Sequence, residues 1–283
     1  MNQLLIETKY LIKMHNLKPT HIAGQNFLIC EDVLEKIIKS SGVGKGDYVL
    51  EIGPGLGILT KQLVTRATKV LAVEYDQSVL PVLATLQLEH DNLEIVNNDI
   101  LGIKNMDLVK QLGNDNYRVI ANIPYHITSR ILRKFLSYEP KPRDLWLLVQ
   151  KEVAERITAK PGNLSRLGIS VQFYGQPEII DIVGKECFHP QPKVDSAILS
   201  IKLHHQYFDS LQQFKITEKQ FWSVVNGGFV GKRKTLINNL TNSLHLDKEQ
   251  VTEKIVRMKL NENIRAQELT IDEWIELASI LVL

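Results

Sequence analysis

The residues whose types and spacing most clearly suggest a chemical role begin with a glycine-rich turn. Gly53, Gly55 and Gly57 follow a short apolar segment, and apolar residues at helical spacing come directly after them. A glycine turn between a strand and a helix lets the backbone approach a nucleotide closely. The dinucleotide fingerprint G-x-G-x-x-G needs glycine at position 58, where this chain has Ile58. The spacing therefore indicates a nucleoside site without a strong demand for pyrophosphate, with an ordinary strand-to-helix turn as the alternative.

Two carboxylates stand at the ends of the next two apolar segments. Glu74 can accept both hydroxyls of a ribose, and the alternative, a helix N-cap, is better filled by Asp76. Asp99 can accept a hydrogen bond from an adenine amino group, or it can simply form an Asx turn. Together with the glycine turn, these carboxylates predict an adenosine-containing cofactor. No Walker lysine follows the glycines, so S-adenosylmethionine fits better than a phosphoryl donor.

The most specific pattern is Asn122-Ile-Pro-Tyr125, directly after a β-branched segment. An exocyclic amine on a base is a poor nucleophile because its lone pair is delocalised into the ring. The Asn122 side-chain oxygen and a nearby backbone carbonyl can accept its two hydrogens and free that lone pair. Pro124 makes the turn rigid, and Tyr125 offers a face on which a flipped-out base can stack, a contact worth ~1–3 kcal/mol. The alternative is a strand end capped by Asn with a buried Tyr.

The elements that must position these residues alternate between strand and helix. Predicted strands cover residues 48–52, 69–74, 93–97, 117–122, 145–150, 178–183 and 197–203, and predicted helices cover 30–41, 56–66, 78–88, 127–136 and 153–159. The alternation predicts an α/β fold with a doubly wound, mainly parallel sheet and a site beyond the carboxyl ends of its strands. From residue 205 onward only helical patterns occur, at 217–225, 232–240, 248–257 and 271–281. We therefore expect an α/β domain over 1–204, with an N-terminal helical extension, and a small all-helical domain over 205–283.

Composition limits the other possibilities. The chain has 283 residues and a net charge of only +2, so contact with nucleic acid must come from local basic patches. Its two cysteines, Cys30 and Cys187, form neither a disulfide framework nor a zinc site, so we expect reduced thiols in a cytosolic protein and no metal. No apolar run is long enough for a membrane span, and residues 1–18 are typical of an amphipathic helix rather than a secretory signal or a transit peptide. Residues 19–28 are predicted to be a loop whose Phe27 and Leu28 anchor it or touch a ligand.

Five segments resemble the ribosomal RNA adenine dimethyltransferase family. They are Gln25-Asn-Phe-Leu28, Glu51-Ile-Gly-Pro-Gly-Leu-Gly57-Ile-Leu-Thr60, Asn122-Ile-Pro-Tyr125, Gln150-Lys-Glu-Val-Ala-Glu-Arg156 and Phe188-His-Pro-Gln-Pro-Lys-Val-Asp-Ser196. The resemblance covers about residues 20–203. Gly228-Phe-Val-Gly-Lys-Arg-Lys-Thr-Leu-Ile-Asn-Asn-Leu240 is similar to the KsgA branch, which modifies small-subunit RNA, more than to the Erm branch, which modifies large-subunit RNA.

The resemblance implies a Rossmann-like class I S-adenosylmethionine methyltransferase domain with a mostly parallel seven-stranded sheet. It implies dimethylation of two adjacent adenosines in a hairpin near the 3′ end of 16S ribosomal RNA, in the precursor of the small subunit. We expect a cytoplasmic protein, and because nothing in the sequence indicates an obligate dimer we expect a monomer. The cofactor residues that it implies are Asn26, Leu28, Gly53, Gly55, Glu74, Asp99 and Asn122. The catalytic residues that it implies are Asn122, Pro124, Tyr125 and Phe188, the last holding the base from the side opposite Tyr125. Phe188 also fits an ordinary core residue before a proline turn.

His126 and Arg130 depart from the family pattern, which often has Asn and Pro there, so they bear on contacts at the mouth of the pocket. Three basic clusters are candidates for RNA contact, although a charge run is usually a solvated face. One cluster is Arg130, Arg133, Lys134, Lys141 and Arg143; the second is Lys151, Arg156, Lys160 and Arg166; the third is Lys232, Arg233 and Lys234, which we expect to open a helix. Within them, Arg156, Lys160 and Lys232–Lys234 are the predicted RNA-binding set.

Three competing functions follow from the same residues. One is an Erm-type methyltransferase of 23S ribosomal RNA. Another is a ribosome-assembly factor that acts mainly by binding immature small subunits. A methyltransferase of DNA or protein is disfavoured by the extent of the family match and by the helical C-terminal domain.

Overall fold

The computed structural model describes residues 2–18 and 26–282. The loop predicted over 19–28 therefore lies mostly outside the described residues. Packing divides the chain into two compact units, one made of residues 1–154 with 176–203 and the other of 155–175 with 204–283. None of the helices in the described ranges is long and apolar enough to span a membrane.

The first unit is built on a seven-stranded sheet, which confirms the predicted α/β class. Its strands are β2 (Tyr48–Ile52), β3 (Lys69–Glu74), β4 (Leu93–Asn97), β5 (Tyr117–Asn122), β6 (Asp144–Gln150), β7 (Gly175–Val183) and β9 (Ser196–Leu203). Their order is β4-β3-β2-β5-β6-β9-β7. Neighbouring strands from β4 to β6 pair in parallel, whereas β9 pairs antiparallel with β6. Central strands of this sheet are almost entirely apolar because helices cover both faces.

Helices of this unit follow the predicted alternation closely. They are α1 (Gln3–Met14), α2 (Glu31–Ser41), α3 (Ile58–Val64), α4 (Leu80–Glu89), α5 (Asn105–Leu112) and α6 (Thr128–Ser137). α5 is absent from the prediction because a helix of eight residues spans little more than two turns, which is too short for a clear helical periodicity. The chain passes from the first unit to the second within α7 (Lys151–Ile157).

A separate two-stranded ribbon corrects the prediction of reduced thiols. β1 (Phe27–Leu28) pairs antiparallel with β8 (Phe188–His189), so that Leu28 lies opposite Phe188. This pairing places Cys30 beside Cys187 with their Cα atoms 5.1 Å apart, and the two form a disulfide. The separation is normal for such a bond. The sequence did not reveal the pair because the cysteines are 157 positions apart and each strand of the ribbon has only two residues.

The second unit is helical. It contains α8 (Arg166–Tyr174), α9 (Gln206–Gln213), α10 (Glu218–Gly228), α11 (Leu236–Leu244), α12 (Lys248–Arg257) and α13 (Ile271–Val282). Residues 155–175 belong to it, which differs from the predicted division at 204/205. The physical reason is an aromatic core: Phe173 of α8 is fully buried and stacks on Phe221 of α10 with ring centroids 4.7 Å apart.

Candidate active site

The candidate site lies where the strand order reverses. β3 and β4 lie on one side of β2, while β5 and β6 lie on the other. In open α/β sheets this switch point opens a crevice beyond the carboxyl ends of the strands. A cavity of about 530 Å³ occupies that position, lined by the ends of β2, β3 and β5, by the loop after β4 and by β1. A volume of this size is typical of small-molecule sites.

The glycine turn forms one wall of the cavity with a backbone that needs glycine. Gly53 and Gly55 have φ values of 65° and 57°, in the left-handed region that side chains disfavour. A Cβ atom on Gly55 would come within 3.0 Å of the Phe27 ring, and one on Gly53 would lie 3.8 Å from Cδ of Pro124. The turn after β2 is therefore in contact with both β1 and the turn after β5.

Glu74 ends β3 with its carboxylate directed at the same turn. Oε2 accepts a hydrogen bond from the Gly55 N–H at 3.0 Å, and Oε1 accepts one from the Asp76 N–H at 2.7 Å. Burial raises the pKa of Glu74, and these two backbone donors oppose that shift. Asp76 caps the following 3₁₀ turn by accepting from the Ser78 N–H at 2.8 Å, so Glu74 is not needed there. Glu74 thus combines a structural contact with a position on the cavity wall.

Asp99 is exposed and lies on the cavity wall two residues past β4. Its Oδ1 accepts a hydrogen bond from the Leu101 N–H at 2.9 Å, which is an Asx turn. This bond uses one carboxylate oxygen, so the turn is compatible with a ligand contact through the other. The tip of β4 is fixed to that of β3, because Asn97 Nδ2 donates to the Glu74 carbonyl at 2.8 Å.

Asn122, at the end of β5, is oriented by a side-chain hydrogen bond. Its Nδ2 donates to the backbone carbonyl of Asn26 at 3.1 Å. A carbonyl only accepts, so the amide nitrogen must face Asn26 and the amide oxygen must face elsewhere. Both residues line the cavity. The structure therefore brings the amide of Asn122 and the chain just before β1 together at one point.

Pro124 and Tyr125 form the turn that follows. Pro124 precedes a 3₁₀ turn over Tyr125–Ile127, and its carbonyl accepts from the Ile127 N–H at 3.2 Å. The Tyr125 hydroxyl lies 2.6 Å from Oγ of Ser196, a fully buried residue at the start of β9. Burial raises the pKa of Tyr125, opposed by the bond to Ser196. The hydroxyl is thus anchored in the sheet, and the residue remains on the cavity wall.

Leu28 and Phe188, paired across the β1–β8 ribbon, are placed differently. Leu28 lines the cavity although it is almost completely buried, so it both anchors its segment and faces the site. Phe188 is only 2% exposed, belongs to the hydrophobic core and is not among the residues lining the cavity. Its contact with a target base stays a prediction, and this arrangement does not present the ring to the cavity.

Glu51 is a residue to which sequence reasoning gave no role of its own. It lies inside β2, is 1% exposed and still reaches the cavity wall. Its Oε2 makes no hydrogen bond to any residue among 2–18 and 26–282. Burial raises its pKa to about 8, the neighbouring Thr60 hydroxyl opposes the shift, and the charge of Glu74 adds to it. The sequence feature that could have indicated a role for Glu51 is a carboxylate within an otherwise apolar strand. Buried carboxylates are rare, and they are often found at functional sites.

The predicted RNA-binding residues lie in the second unit. Arg156 and Lys160 are exposed in and after α7. Lys232, Arg233 and Lys234 are also exposed, but they form a turn instead of opening a helix. The helix begins at Leu236 because Thr235 caps it, accepting from the Asn238 N–H at 3.4 Å. This basic turn (residues 231–234) is held by buried Asn239, whose Nδ2 donates to the Gly231 carbonyl at 3.0 Å and whose Oδ1 accepts from the Gly231 N–H at 3.0 Å.

Comparison with known proteins supplies relatives across nearly the whole chain. "Ribosomal RNA small subunit methyltransferase A" of Dehalococcoides mccartyi (strain ATCC BAA-2266 / KCTC 15142 / 195) is 36% identical over 271 residues, covering 96% of this chain and 91% of the relative. A dimethyladenosine transferase from Plasmodium falciparum has a TM-score of 0.71 at 25% identity, covering 89% of this chain and 95% of its own. The 23S rRNA methyltransferase ErmE has a TM-score of 0.70 at 25% identity, covering 91% and 100%.

The mostly parallel seven-stranded sheet, with its cavity at the switch point and Asn-Ile-Pro-Tyr at the end of β5, defines a Rossmann-like class I methyltransferase. The family model described as "Ribosomal RNA adenine dimethylase" matches residues 16–282. This chain belongs to the ribosomal RNA adenine dimethylase family, which confirms the resemblance seen in the sequence and makes the protein a ribosomal RNA adenine methyltransferase.

Proposed function

We propose that this enzyme transfers methyl groups from S-adenosylmethionine to the exocyclic amines of two adjacent adenosines in a hairpin near the 3′ end of 16S ribosomal RNA. The observation that carries the proposal is the bond between Asn122 and the Asn26 carbonyl, which fixes the catalytic amide at the edge of a cofactor-sized cavity. Relatives named for small-subunit methylation, such as the Dehalococcoides protein, support the choice of RNA.

The residues around the cavity fit S-adenosylmethionine. Glu74 reaches the cavity wall at the end of β3, where its remaining lone pairs suit the two hydroxyls of a ribose. Asp99 and the loop after it suit the adenine amino group. Glu51 has a buried oxygen without a partner among the described residues, which suits the ammonium group of a methionine moiety. Asn26, Leu28, Gly53 and Gly55 complete the contact surface, because the glycines leave the backbone open to a ligand.

S-adenosylmethionine supplies, when bound, an electrophilic methyl group on a positively charged sulfonium. The chain's own contribution is to prepare the target amine. The Asn122 oxygen and a backbone carbonyl of the Ile123–Pro124 turn accept the two amine hydrogens, which frees the nitrogen lone pair. Tyr125, anchored by Ser196, presents its ring for stacking of the flipped base. A contact of Phe188 with the base stays a prediction of the family resemblance, because the ring is buried here and does not line the cavity.

Binding of the RNA requires basic surfaces, because the net charge of the chain is small. In the second unit, Arg156, Lys160 and the basic turn supply exposed cations suited to a phosphate backbone. The partner is the precursor of the small ribosomal subunit, and the enzyme acts as a cytoplasmic monomer. Size-exclusion chromatography with light scattering tests the last point, and a stable dimer would contradict it.

Large-subunit RNA is the principal competing substrate, because the fold is about equally similar to ErmE and to the Plasmodium enzyme. Purified small and large subunits, both lacking adenine methylation, are incubated with enzyme and radiolabelled S-adenosylmethionine. We expect dimethyladenosine at two adjacent positions of 16S RNA only. Label confined to 23S RNA would overturn the assignment in favour of the Erm-type function, and an Asn122→Ala variant provides the inactive control.

A further inference from the structure

Five basic residues follow the strand that ends at Asn122, and the structure divides them into two groups. Three are engaged within the protein. Arg143 Nη2 lies 2.9 Å from Oδ1 of Asp47, and Lys141 Nζ lies 3.1 Å from Oε1 of Glu139. Lys134 donates from its ammonium group to the Ile103 carbonyl, and burial lowers its pKa while the charge of Asp99 opposes that shift.

Arg130 and Arg133 form the second group. Within residues 2–18 and 26–282, neither makes an ion pair or a hydrogen bond through its side chain, and both are exposed. They lie three residues apart on α6, so their side chains share one face of the helix. The opposite face is buried in the core through Ile131, Leu132, Phe135 and Leu136. Two guanidinium groups are therefore fixed to a rigid helix and directed to solvent.

The position of this arginine pair (Arg130 and Arg133) connects it to the catalytic site. α6 starts at Thr128, directly after the turn that holds Tyr125, and Thr128 Oγ1 donates to the Tyr125 carbonyl at 3.0 Å. Arg130 itself lines the cavity at its exposed edge, on the same wall as His126. We expect the phosphates of a strand whose base enters the cavity to pass the exposed residues of its lining, and Arg130 is one of these.

We infer that Arg130 and Arg133 bind consecutive phosphates of the RNA strand that carries the target adenosine. The inference rests on the proposed function. Guanidinium groups match phosphate oxygens through two parallel hydrogen bonds, and the carboxylate of S-adenosylmethionine is the competing partner that the Kd measurement below distinguishes. Asp99 is an exposed carboxylate on the lining of the same cavity. Among the described residues it makes no ion pair with Arg130, so the guanidinium group is not neutralised by it.

In the test, the full-length enzyme methylates purified small subunits that lack the modification, and the rate is measured. Arg130→Gln and Arg133→Gln should each raise KM for the subunit about fivefold and leave kcat and the Kd for S-adenosylmethionine within twofold. Each should also reduce the slope of log binding constant against log salt concentration by about 0.7–0.9. Arg130→Lys, which keeps the charge, should retain the slope.

Lys45→Gln is the matched control, because it makes the same charge change at an exposed position before β2, at the opposite end of the strand from the cavity. Arginine variants with the KM and salt slope of Lys45→Gln would overturn the inference. A raised Kd for S-adenosylmethionine with an unchanged salt slope would also overturn it, by assigning the arginines to the cofactor. Wild-type enzyme that methylates no small subunit would instead refute the proposed function, so the two failures are distinguishable.

Discussion

Asn122 Nδ2 and the carbonyl oxygen of Asn26 are 3.1 Å apart, and this one bond joins the end of β5 to the chain leading into β1. It orients the amide without using its oxygen. The same contact therefore positions the group that we propose to activate the target amine, and it does so at the lining of the cavity that we propose to hold the cofactor.

Replacing Asn122 separates catalysis from binding. We expect Asn122→Ala to lower kcat for small-subunit methylation by about 10²–10³, the usual loss for one oriented polar group at a reacting centre. Asn122→Asp should lose as much, because a carboxylate cannot donate to the Asn26 carbonyl. Binding to small subunits should persist in a pull-down assay. Asn242→Ala, on an exposed position of α11, is the control, and full methylation by Asn122→Ala would refute the assigned role.

The contact between Tyr125 and Ser196 predicts coupled effects. Tyr125→Phe and Ser196→Ala should each reduce kcat a few-fold, since either change frees the ring that we expect the base to stack on. The double variant should lose little more than one single variant, giving a coupling energy of about 1 kcal/mol. Fully additive losses in kcat would show that the 2.6 Å bond does not position the ring.

Glu51 should make the ligand-free enzyme less stable as pH rises. Its pKa is about 8 in the folded chain against an ordinary value of 4.5, so the folded state holds the proton more tightly. The contribution of this group to the free energy of unfolding is therefore fully present below pH 4.5. It falls by about 1.4 kcal/mol per pH unit between pH 4.5 and pH 8. Urea unfolding of wild type and Glu51→Gln at several pH values isolates the effect as their difference. A difference that does not vary with pH would contradict the raised pKa.

The Cys30–Cys187 bond should stabilise the first unit. It closes a loop of 157 residues, and we expect its loss to cost about 2–4 kcal/mol in the free energy of unfolding. Unfolding of wild type and of the Cys30→Ser/Cys187→Ser double variant is measured with and without reductant. The variant should match reduced wild type and should not respond to reductant. Equal stability of wild type in both conditions would show that the thiols do not pair in solution.

Neutralising the basic turn should weaken RNA binding in a salt-dependent way. Replacement of Lys232, Arg233 and Lys234 by Gln should lower affinity for small subunits. It should also reduce the slope of log binding constant against log salt concentration by about 0.7–0.9 per lost phosphate contact. The control replaces exposed Lys248, Arg257 and Lys259 by Gln, with the same change in charge. Identical salt slopes for the two triple variants would remove the basic turn from the RNA-binding surface.

Most strands and helices of the first unit could be predicted from local sequence patterns. Strands such as Lys69–Glu74 and Tyr117–Asn122 occur at the predicted residues because buried parallel strands are continuous apolar runs with clear ends. The cavity-lining positions of Glu74, Asp99 and Asn122 followed for the same reason, since strand ends share one edge of the sheet.

What could not be predicted depends on contacts between residues far apart in the sequence. The β1–β8 ribbon has two residues per strand and no periodicity, so the cysteine pair was not visible and the choice between a base-contacting and a core Phe188 stayed open. α8 packs in the helical unit through Phe173. The sequence around an aromatic residue does not indicate which of two hydrophobic cores it belongs to, so this assignment could not be predicted. The basic turn lies in a segment predicted to be helical, and its sequence did not indicate a turn because the buried Asn239 that holds it lies eight residues beyond Gly231.

Glu74 shows how such a site constrains its own evolution. The carboxylate that we propose to bind ribose also accepts the N–H groups of Gly55 and Asp76, so recognition and scaffold share one side chain. A single exchange at this position disturbs the glycine loop before it can alter which ligand is preferred. A change of ligand preference at this position therefore also needs an acceptor that keeps the N–H groups of Gly55 and Asp76 satisfied.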